Sequence, residues 1–193
     1  MSNLMRTRTL GERSLMLLAL LALFTLDGRQ AWSSDDLVSN EYQIKAAFLY
    51  NFTKFVEWPA PSFSGPGDPI VIGVYCSEPF AATLEKIVLG RKVNGRVIAV
   101  RRLTTASDAR TVHLLFVCTA QDLLLSGIQA EVQSRPVVTV GESEADTRSG
   151  VAIRFLREDD KLRFGIDMVV AARAGVKISA QLQKLATTVI RVP

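Results

Sequence analysis

Residues 70–76 read Ile70-Val71-Ile72-Gly73-Val74-Tyr75-Cys76, a continuous apolar run with the length of a buried strand. Two further runs of this kind follow, Val112 to Cys118 and Pro136 to Val140. Between them lie helical patterns, one opened by Pro79 and extending to about Val88, and one from about Ala120 to Ser134. Buried strands that alternate with helices favour a parallel sheet. The sequence therefore predicts an α/β fold, a single domain with a mainly parallel central sheet and helices on both faces.

The segments nearer the start of the chain extend this pattern. Ser39 or Asn40 is a suitable cap for a first helix, whose apolar residues recur at three- and four-residue steps until Trp58-Pro59 ends it. The stretch from Val93 to Leu103 predicts a strand, with Asn94-Gly95 forming a turn before it. These segments add a helix to the predicted fold and a strand to its sheet.

The end of the chain has a different pattern, because its apolar residues alternate. Residues Ala152 to Leu156 and Leu162 to Ile166 flank the tight turn Glu158-Asp159-Asp160, as in an antiparallel hairpin. A closing helix is predicted from Ser179 to about Ile190, with a core-facing stripe formed by Leu182, Leu185, Ala186 and Val189. We therefore expect a C-terminal antiparallel hairpin followed by one more helix.

The composition is that of a globular chain of one domain. The protein has 193 residues, of which 48% are hydrophobic and 22% are charged, and about 100–200 residues make one domain. Its formal net charge is +4, and it contains 2 Cys and 1 His. So few soft ligands exclude a zinc ribbon, an iron–sulfur cluster and a His-rich metal site. We expect no metal and no cofactor.

Residues 1–33 are typical of a signal peptide. Three arginines precede an uncharged apolar run from Leu15 to Leu26, and small residues precede a cleavage position after Ser33. The run has 12 residues, against about 20 for a helix that spans a bilayer, so a retained anchor is the less favoured alternative. Removal of residues 1–33 takes away four arginines and two acids and leaves residues 34–193 with a net charge of +2. We expect an exported protein whose domain is residues 34–193.

Export bears on the two cysteines. In an oxidising compartment, Cys76 and Cys118 are expected to form a disulfide, and only one intramolecular pairing exists. The alternative is a pair of separate buried thiols.

Motifs for catalysis are incomplete. Gly141 to Ala145 resembles a nucleophile elbow around Ser143, but Ala replaces the last Gly and loop-like residues follow, so an ordinary turn is predicted. His113 lies inside an apolar run, which indicates a partly buried structural imidazole. Gly90 to Gly95 lacks the Lys-Ser/Thr of a phosphate-binding loop, and Asp159-Asp160 predicts a solvated turn. We expect that the protein is not an enzyme.

One cluster of cations has no acid within it. Arg91, Lys92, Arg96, Arg101 and Arg102 fall within twelve residues. Such a cluster suits anionic lipid head groups or an acidic partner, and the alternative is a solvated strand face. Nucleic acid is not expected, because the net charge is small and no aromatic pattern accompanies the cluster.

Two segments resemble a known family. They run from Glu41 to Pro59, a helical pattern that ends in Trp58-Pro59, and from Phe164 to Ser179, which contains Ala174-Gly175-Val176-Lys177-Ile178-Ser179. Together they are similar to the YfiR family of bacterial periplasmic proteins. The resemblance implies a homodimeric periplasmic repressor that binds the sensor domain of an inner-membrane diguanylate cyclase. It also implies an outer-membrane lipoprotein that relieves the repression, and an effect on cyclic di-GMP and biofilm formation.

The resemblance also assigns residues. Cys76 and Cys118 match the positions of the disulfide that stabilises such repressors. A second bridge found in some relatives is missing, since this chain has only Ser143 and Ser149 in that region. The regulatory surface of the family maps to four residues near the end of the chain, Phe164, Gly165, Asp167 and Ala171. An alternative function is a small-ligand-binding module, because a parallel sheet covered on both faces leaves a crevice at its strand ends.

Overall fold

A computed structural model of the protein describes residues 34–118, 125–142 and 150–191. The chain divides into two units, residues 1–37 and residues 38–193. Of the first unit, only residues 34–37 are described, and they form the beginning of a helix. The predicted signal peptide, residues 1–33, lies outside the described residues and stays a prediction. Among the described helices, none combines the length and the apolar character that crossing a membrane requires.

The described residues form an eight-stranded sheet and five α-helices. The strands of the sheet are β2 (Ile70–Tyr75), β3 (Lys92–Val93), β4 (Arg96–Arg102), β5 (Leu114–Val117), β6 (Val138–Gly141), β7 (Ile153–Glu158), β8 (Lys161–Asp167) and β10 (Thr188–Ile190). A separate two-stranded sheet consists of β1 (Val56–Glu57) and β9 (Lys177–Ile178). The helices are α1 (Ser34–Phe55), α2 (Glu78–Val88), α3 (Leu125–Val132), α4 (Met168–Arg173) and α5 (Ala180–Leu185). Two 3-10 helices cover Ala60–Ser62 and Ala106–Thr111.

The large sheet is mainly parallel, as predicted. Its strand order is β10-β8-β7-β6-β5-β2-β4-β3. The neighbours from β4 through β2, β5 and β6 to β7 run parallel, whereas β7 and β8 form an antiparallel hairpin that pairs Ile153 with Ile166 and Glu158 with Lys161. At the hairpin turn, Asp159 and Asp160 have φ angles of 48° and 57°, which suit the tight turn that the sequence predicts.

Helices cover both faces of this sheet. One core contains inward-facing residues of α1, α2, α4 and α5, such as Phe52, Leu84 and Leu182. The other core lies beneath α3 and the second 3-10 helix and contains Ile128 and Ala109. Strand β2 contributes to both, because its alternate residues point to opposite faces. Burial of both faces explains why this strand is continuously apolar.

The predicted closing helix is wrong beyond Leu185. Helix α5 ends there, and residues Thr188–Ile190 form β10, which adds to β8 as a parallel edge strand. The physical reason is that four β-branched residues in a row, from Thr187 to Ile190, suit a strand better than a helix. Of the predicted core-facing stripe, Leu182 is buried, but Leu185 is 64% exposed.

Three other boundaries differ from the prediction. Helix α1 begins at Ser34, before Ser39 and Asn40. The single strand predicted from Val93 is a short hairpin, in which β3 pairs antiparallel with the start of β4 around Asn94-Gly95. Helix α3 ends at Val132, and residues 119–124, where its predicted start falls, lie outside the described residues.

Candidate functional site

The disulfide lies at the carboxyl ends of two neighbouring parallel strands. Cys76 follows β2 and Cys118 follows β5, and the last paired residues before them are Tyr75 and Val117. The two cysteines are bonded, with their Cα atoms 5.3 Å apart. The N–H of Cys118 also donates a hydrogen bond to the C=O of Tyr75 at 3.1 Å. The sheet register therefore places the two cysteines side by side.

Helix α1 carries a charge network whose central ion pair, Lys45 with Glu142, is largely buried. Lys45 forms ion pairs with Glu142, which follows β6, and with Glu41 one helical turn away, where the N–O distance is 2.6 Å. Glu41 also pairs with Arg157 of β7 at 2.6 Å. The side chains of Lys45 and Glu142 are each only 11% exposed. The network therefore ties α1 to the sheet at the ends of β6 and β7.

The charges around Lys45 and Glu41 favour the ionised forms of these two side chains. Burial acts to lower the pKa of Lys45, but hydrogen bonds and charge from Glu142 and Glu41 outweigh burial and raise that pKa above its ordinary value. Burial likewise acts to raise the pKa of Glu41, but Lys45 and Arg157 outweigh it and lower that pKa. The sequence did not predict this network. The spacing of Glu41 and Lys45 at i and i+4 is the signal that was available.

The two segments that carry the family resemblance are in contact. Strand β1 pairs antiparallel with β9, so that Val56 lies opposite Ile178, and the N–H of Ser179 donates to the C=O of Phe55 at 2.9 Å. Higher in α1, Phe52 packs on the ring of Phe164, with centroids 5.1 Å apart. The resemblance is therefore carried by one structural unit, in which the first helix packs against the hairpin and the segment after it.

The four residues predicted for partner binding belong largely to this unit's interior. Phe164 and Gly165 are buried in β8, and Ala171 is fully buried in α4. Asp167 is half-buried and caps α4, because its Oδ1 accepts hydrogen bonds from the N–H groups of Val169 and Val170. In this conformation these four residues lie beneath the predicted partner-binding surface and shape it, and most of their side-chain atoms are not exposed on it. A direct contact with a partner stays a prediction.

His113 is a structural imidazole, as the sequence predicts. Its Nδ1 accepts a hydrogen bond from the N–H of Val71, and its Nε2 lies 3.0 Å from the C=O of Ser62. Since Nδ1 accepts, the neutral tautomer with hydrogen on Nε2 satisfies both partners. The ring also stacks on Phe63 at 4.5 Å. Burial lowers the pKa of His113 and outweighs the hydrogen bond to Ser62, which acts to raise it.

This histidine fixes the loop that follows Trp58-Pro59. The indole Nε1 of Trp58 donates to the C=O of His113 at 3.0 Å. Arg96 lies over the ring of Phe63 at 3.8 Å and donates to the C=O of Gly65 and of Asp68. A cleft of about 360 Å³ lies at this amino-terminal edge of the sheet. It is lined by Val56, Trp58, Phe63, Ile70, Asn94 and Arg96, among others.

The cations of the basic cluster have different partners. Arg102 pairs with Glu78 at 2.5 Å and with Glu85 at 3.1 Å, and Arg96 is held by the loop carbonyls. Arg101 donates to the hydroxyl of Thr111, and Arg91 donates to the C=O of Ile87 at 2.6 Å. Only part of the positive charge is therefore balanced by acids.

The catalytic candidates are not brought together among the described residues. Ser143 lies outside the described residues, so it has no described geometry relative to His113. Gly90 precedes β3 and Gly95 lies in the turn between β3 and β4, whereas Asp159 and Asp160 are exposed in another turn. Within residues 34–118, 125–142 and 150–191, no group of three or more His, Cys, Asp or Glu side chains is placed to hold a metal ion.

Comparisons with known proteins address the family directly. A conserved domain protein from Vibrio cholerae, whose crystal structure is solved, shares the fold with a TM-score of 0.50 at 10% sequence identity. The likeness covers 75% of this chain and 59% of that chain, so this chain spans about three fifths of the other protein's length. No curated protein matches the sequence. The model of the YfiR/HmsC-like family matches residues 42–187, which include the first resembling segment except Glu41 and the whole of the second. The chain belongs to the YfiR/HmsC-like family.

Proposed function

We propose that this protein is a periplasmic regulator that binds the sensor domain of an inner-membrane diguanylate cyclase and represses cyclic di-GMP synthesis. The observation that carries the proposal is the family match over residues 42–187, because the members of this family are regulatory proteins. The disulfide between Cys76 and Cys118 supports an oxidising compartment. The signal peptide predicted for residues 1–33 supplies the route to that compartment.

Repression requires a difference in affinity. The regulator shifts the cyclase toward its inactive conformation only if it binds that conformation more tightly than the active one. No chemistry on the regulator is needed, so the protein acts by contact and is not an enzyme. The proposal also includes a homodimer and an outer-membrane lipoprotein that competes for the regulator and relieves repression.

The region around the hairpin is the part of the surface that we assign to the partner. This surface lies over the buried and half-buried residues Phe164, Gly165, Asp167 and Ala171. Arg163 and Arg173, next to them, are exposed. A substitution such as Ala171→Leu in the fully buried site would overpack α4 against the core. We expect such a change to alter repression through the shape of the surface rather than through lost contacts.

Direct binding tests the proposal. Residues 34–193 are purified with the disulfide formed and titrated calorimetrically into the isolated periplasmic domain of each membrane diguanylate cyclase of the source organism. We expect saturable binding to at least one of these domains and weaker binding by an Arg163→Glu, Arg173→Glu variant. If the protein binds none of these periplasmic domains, the proposal is contradicted.

A second candidate is small-ligand binding, favoured by the cleft beside Trp58 and Phe63. Its volume of about 360 Å³ falls within the range of small-molecule sites, roughly 300–1,000 Å³. The sequence predicted a crevice at strand ends, and this cleft lies at the amino-terminal ends of β2 and β4. A thermal-shift screen of envelope metabolites tests this function, because a true ligand raises the melting temperature with its concentration. If no metabolite in the screen raises the melting temperature, this second function is excluded.

A further inference from the structure

The outer edge of β4 is only half covered. On its inner side, β4 pairs with β2 over five residue pairs, from Ile70 and Ile98 to Val74 and Arg102. On its outer side, β3 pairs with only Val97 and Arg96. Among the described residues, no strand lies along the rest of this edge, from Ala99 to Arg102. An open edge of this length is a template for another strand.

The backbone groups that point outward follow from two hydrogen bonds. The N–H of Ile98 donates outward, to the C=O of Arg91 at 3.3 Å. The N–H of Leu103 donates inward, to the C=O of Val74 at 3.0 Å. Because successive residues of a strand alternate, Val100 and Arg102 direct their N–H and C=O groups outward with Ile98. The edge therefore offers two N–H donors, from Val100 and Arg102, to a strand that pairs with it.

The charge beside this edge is positive and only partly balanced. Arg102 is paired with Glu78 and Glu85. Arg91, Lys92 and Arg101 are exposed, and no described ion pair involves them. Opposite charges on neighbouring strands stabilise their pairing, and like charges directly opposite destabilise it. An acidic strand is therefore favoured at this edge.

The same charge argues against a second copy of this chain as the occupant. A twofold antiparallel pairing of β4 with β4 would bring the Arg101 side chains of both copies, and the neighbouring cations, to one seam. Exposed cations on an edge strand are a device that prevents such self-pairing. An acidic segment of another protein meets no such repulsion.

We propose that the β4 edge from Ala99 to Arg102 binds an extended, acidic segment of a partner protein, which adds to the sheet as a further strand. Hydrogen bonds to the outward N–H and C=O groups of Val100 and Arg102 supply the affinity, and acidic side chains near Arg101 and Lys92 supply the selectivity. This proposal concerns an edge of the sheet that the proposed function does not use. It holds whether or not the partner is a cyclase.

Amide hydrogen exchange measured by NMR tests the pairing at single residues. The probe is an end-blocked octapeptide that alternates glutamate and valine, at roughly 1 mM, a concentration that half-fills a site with a Kd of that size. In the free protein we expect the amides of Val100 and Arg102 to exchange faster than those of Ala99 and Arg101, which face β2. The peptide should slow exchange at Val100 and Arg102 about twofold at half occupancy. A peptide that alternates lysine and valine should leave both amides unchanged.

Two variants separate backbone pairing from charge. Val100→Pro removes an outward N–H and leaves the hydrogen bonds to β2 in place, so the peptide should no longer bind. Arg101→Glu keeps the backbone and should weaken peptide binding by about tenfold. Lys184→Glu, the same charge change at an exposed site in α5, is the matched control and should bind the peptide as the unmodified protein does.

Four outcomes would overturn the proposal. The first is an unchanged exchange rate at Val100 and Arg102 with the acidic peptide. The second is binding by Arg101→Glu that equals binding by Lys184→Glu. The third is a concentration-dependent dimer in sedimentation that Val100→Pro abolishes, because a second copy would then occupy the edge. The fourth is binding to vesicles of anionic lipid that Arg101→Glu abolishes, with no binding of the peptide.

Discussion

Loss of the disulfide between Cys76 and Cys118 should destabilise the protein by about 4 kcal/mol. The two cysteines are 42 positions apart in the chain. In the chain-entropy model, a closed loop of this size lowers the entropy of the unfolded state by about 13 cal/mol/K, which is about 4 kcal/mol at 25 °C. The bond joins residues that the sheet already holds together through the pairing of Tyr75 with Val117. Its effect is therefore expected on the unfolded chain more than on the fold.

The assay compares three samples of residues 34–193 in guanidinium chloride. These are the oxidised protein, the same protein with reductant, and the Cys76→Ala, Cys118→Ala double variant. Both samples without the bond should lose about 4 kcal/mol, and their melting temperatures should fall by roughly 8–16 °C. Their m-values should rise, because an unfolded chain without the bond is more expanded.

The double variant controls for side reactions of free thiols. If reduction and substitution each change the free energy of unfolding by less than about 1 kcal/mol, the loop-closure reasoning is refuted. A large change in the far-ultraviolet circular dichroism of the folded double variant would refute the second part of the reasoning, that the strand pairing survives without the bond.

Three further predictions concern stability. Lys45→Met removes the buried cation that pairs with Glu142 and Glu41 and should cost about 3 kcal/mol in chemical denaturation. Arg157→Met, at a side chain that is 62% exposed, should cost less than about 1 kcal/mol. Equal losses would contradict the network. Gly73→Ala should lower the free energy of unfolding by about 1–3 kcal/mol, because a Cβ there would lie 2.7 Å from two core side chains. The control Gly67→Ala, at a site with open space around it, should change the free energy of unfolding by less than about 0.5 kcal/mol. The pKa of His113 is lower in the folded state, so on acidification the unfolded chain takes up this proton at a higher pH than the folded protein does. The free energy of unfolding should therefore fall as the pH drops below the unfolded pKa of about 6.5. A His113→Gln variant should show a shallower loss between pH 7 and pH 5, and an unchanged slope would disprove this contribution.

The central sheet could be predicted because its strands are buried on both faces. The runs around Ile72, Leu115 and Val138 have no polar alternation, and a short apolar run of this kind, bounded by turn residues, is typical of a buried strand. Strand β10 was not predicted, because the spacing of Leu182, Leu185 and Val189 also fits the apolar stripe of a helix. The choice between the two depends on pairing with β8, which is a tertiary contact that local periodicity does not contain.

The site was less predictable, because its parts meet only through the fold. The pairing of Cys76 with Cys118 followed from their number and from the expected compartment. Glu142 was predicted only as part of a turn, and nothing in the sequence placed it against Lys45, which is almost 100 positions away. The resemblance assigned Phe164 to a surface, whereas the packing of aromatic rings in this region places it in the core.

Deletion of the gene, followed by measurement of cellular cyclic di-GMP, tests the central claim most directly. The account predicts that cyclic di-GMP and surface attachment rise in the deletion strain. The full chain supplied in trans should restore both, and a chain lacking residues 1–33 should not, because it would remain in the cytoplasm. Unchanged cyclic di-GMP after deletion, or full restoration by the chain without residues 1–33, would contradict the account.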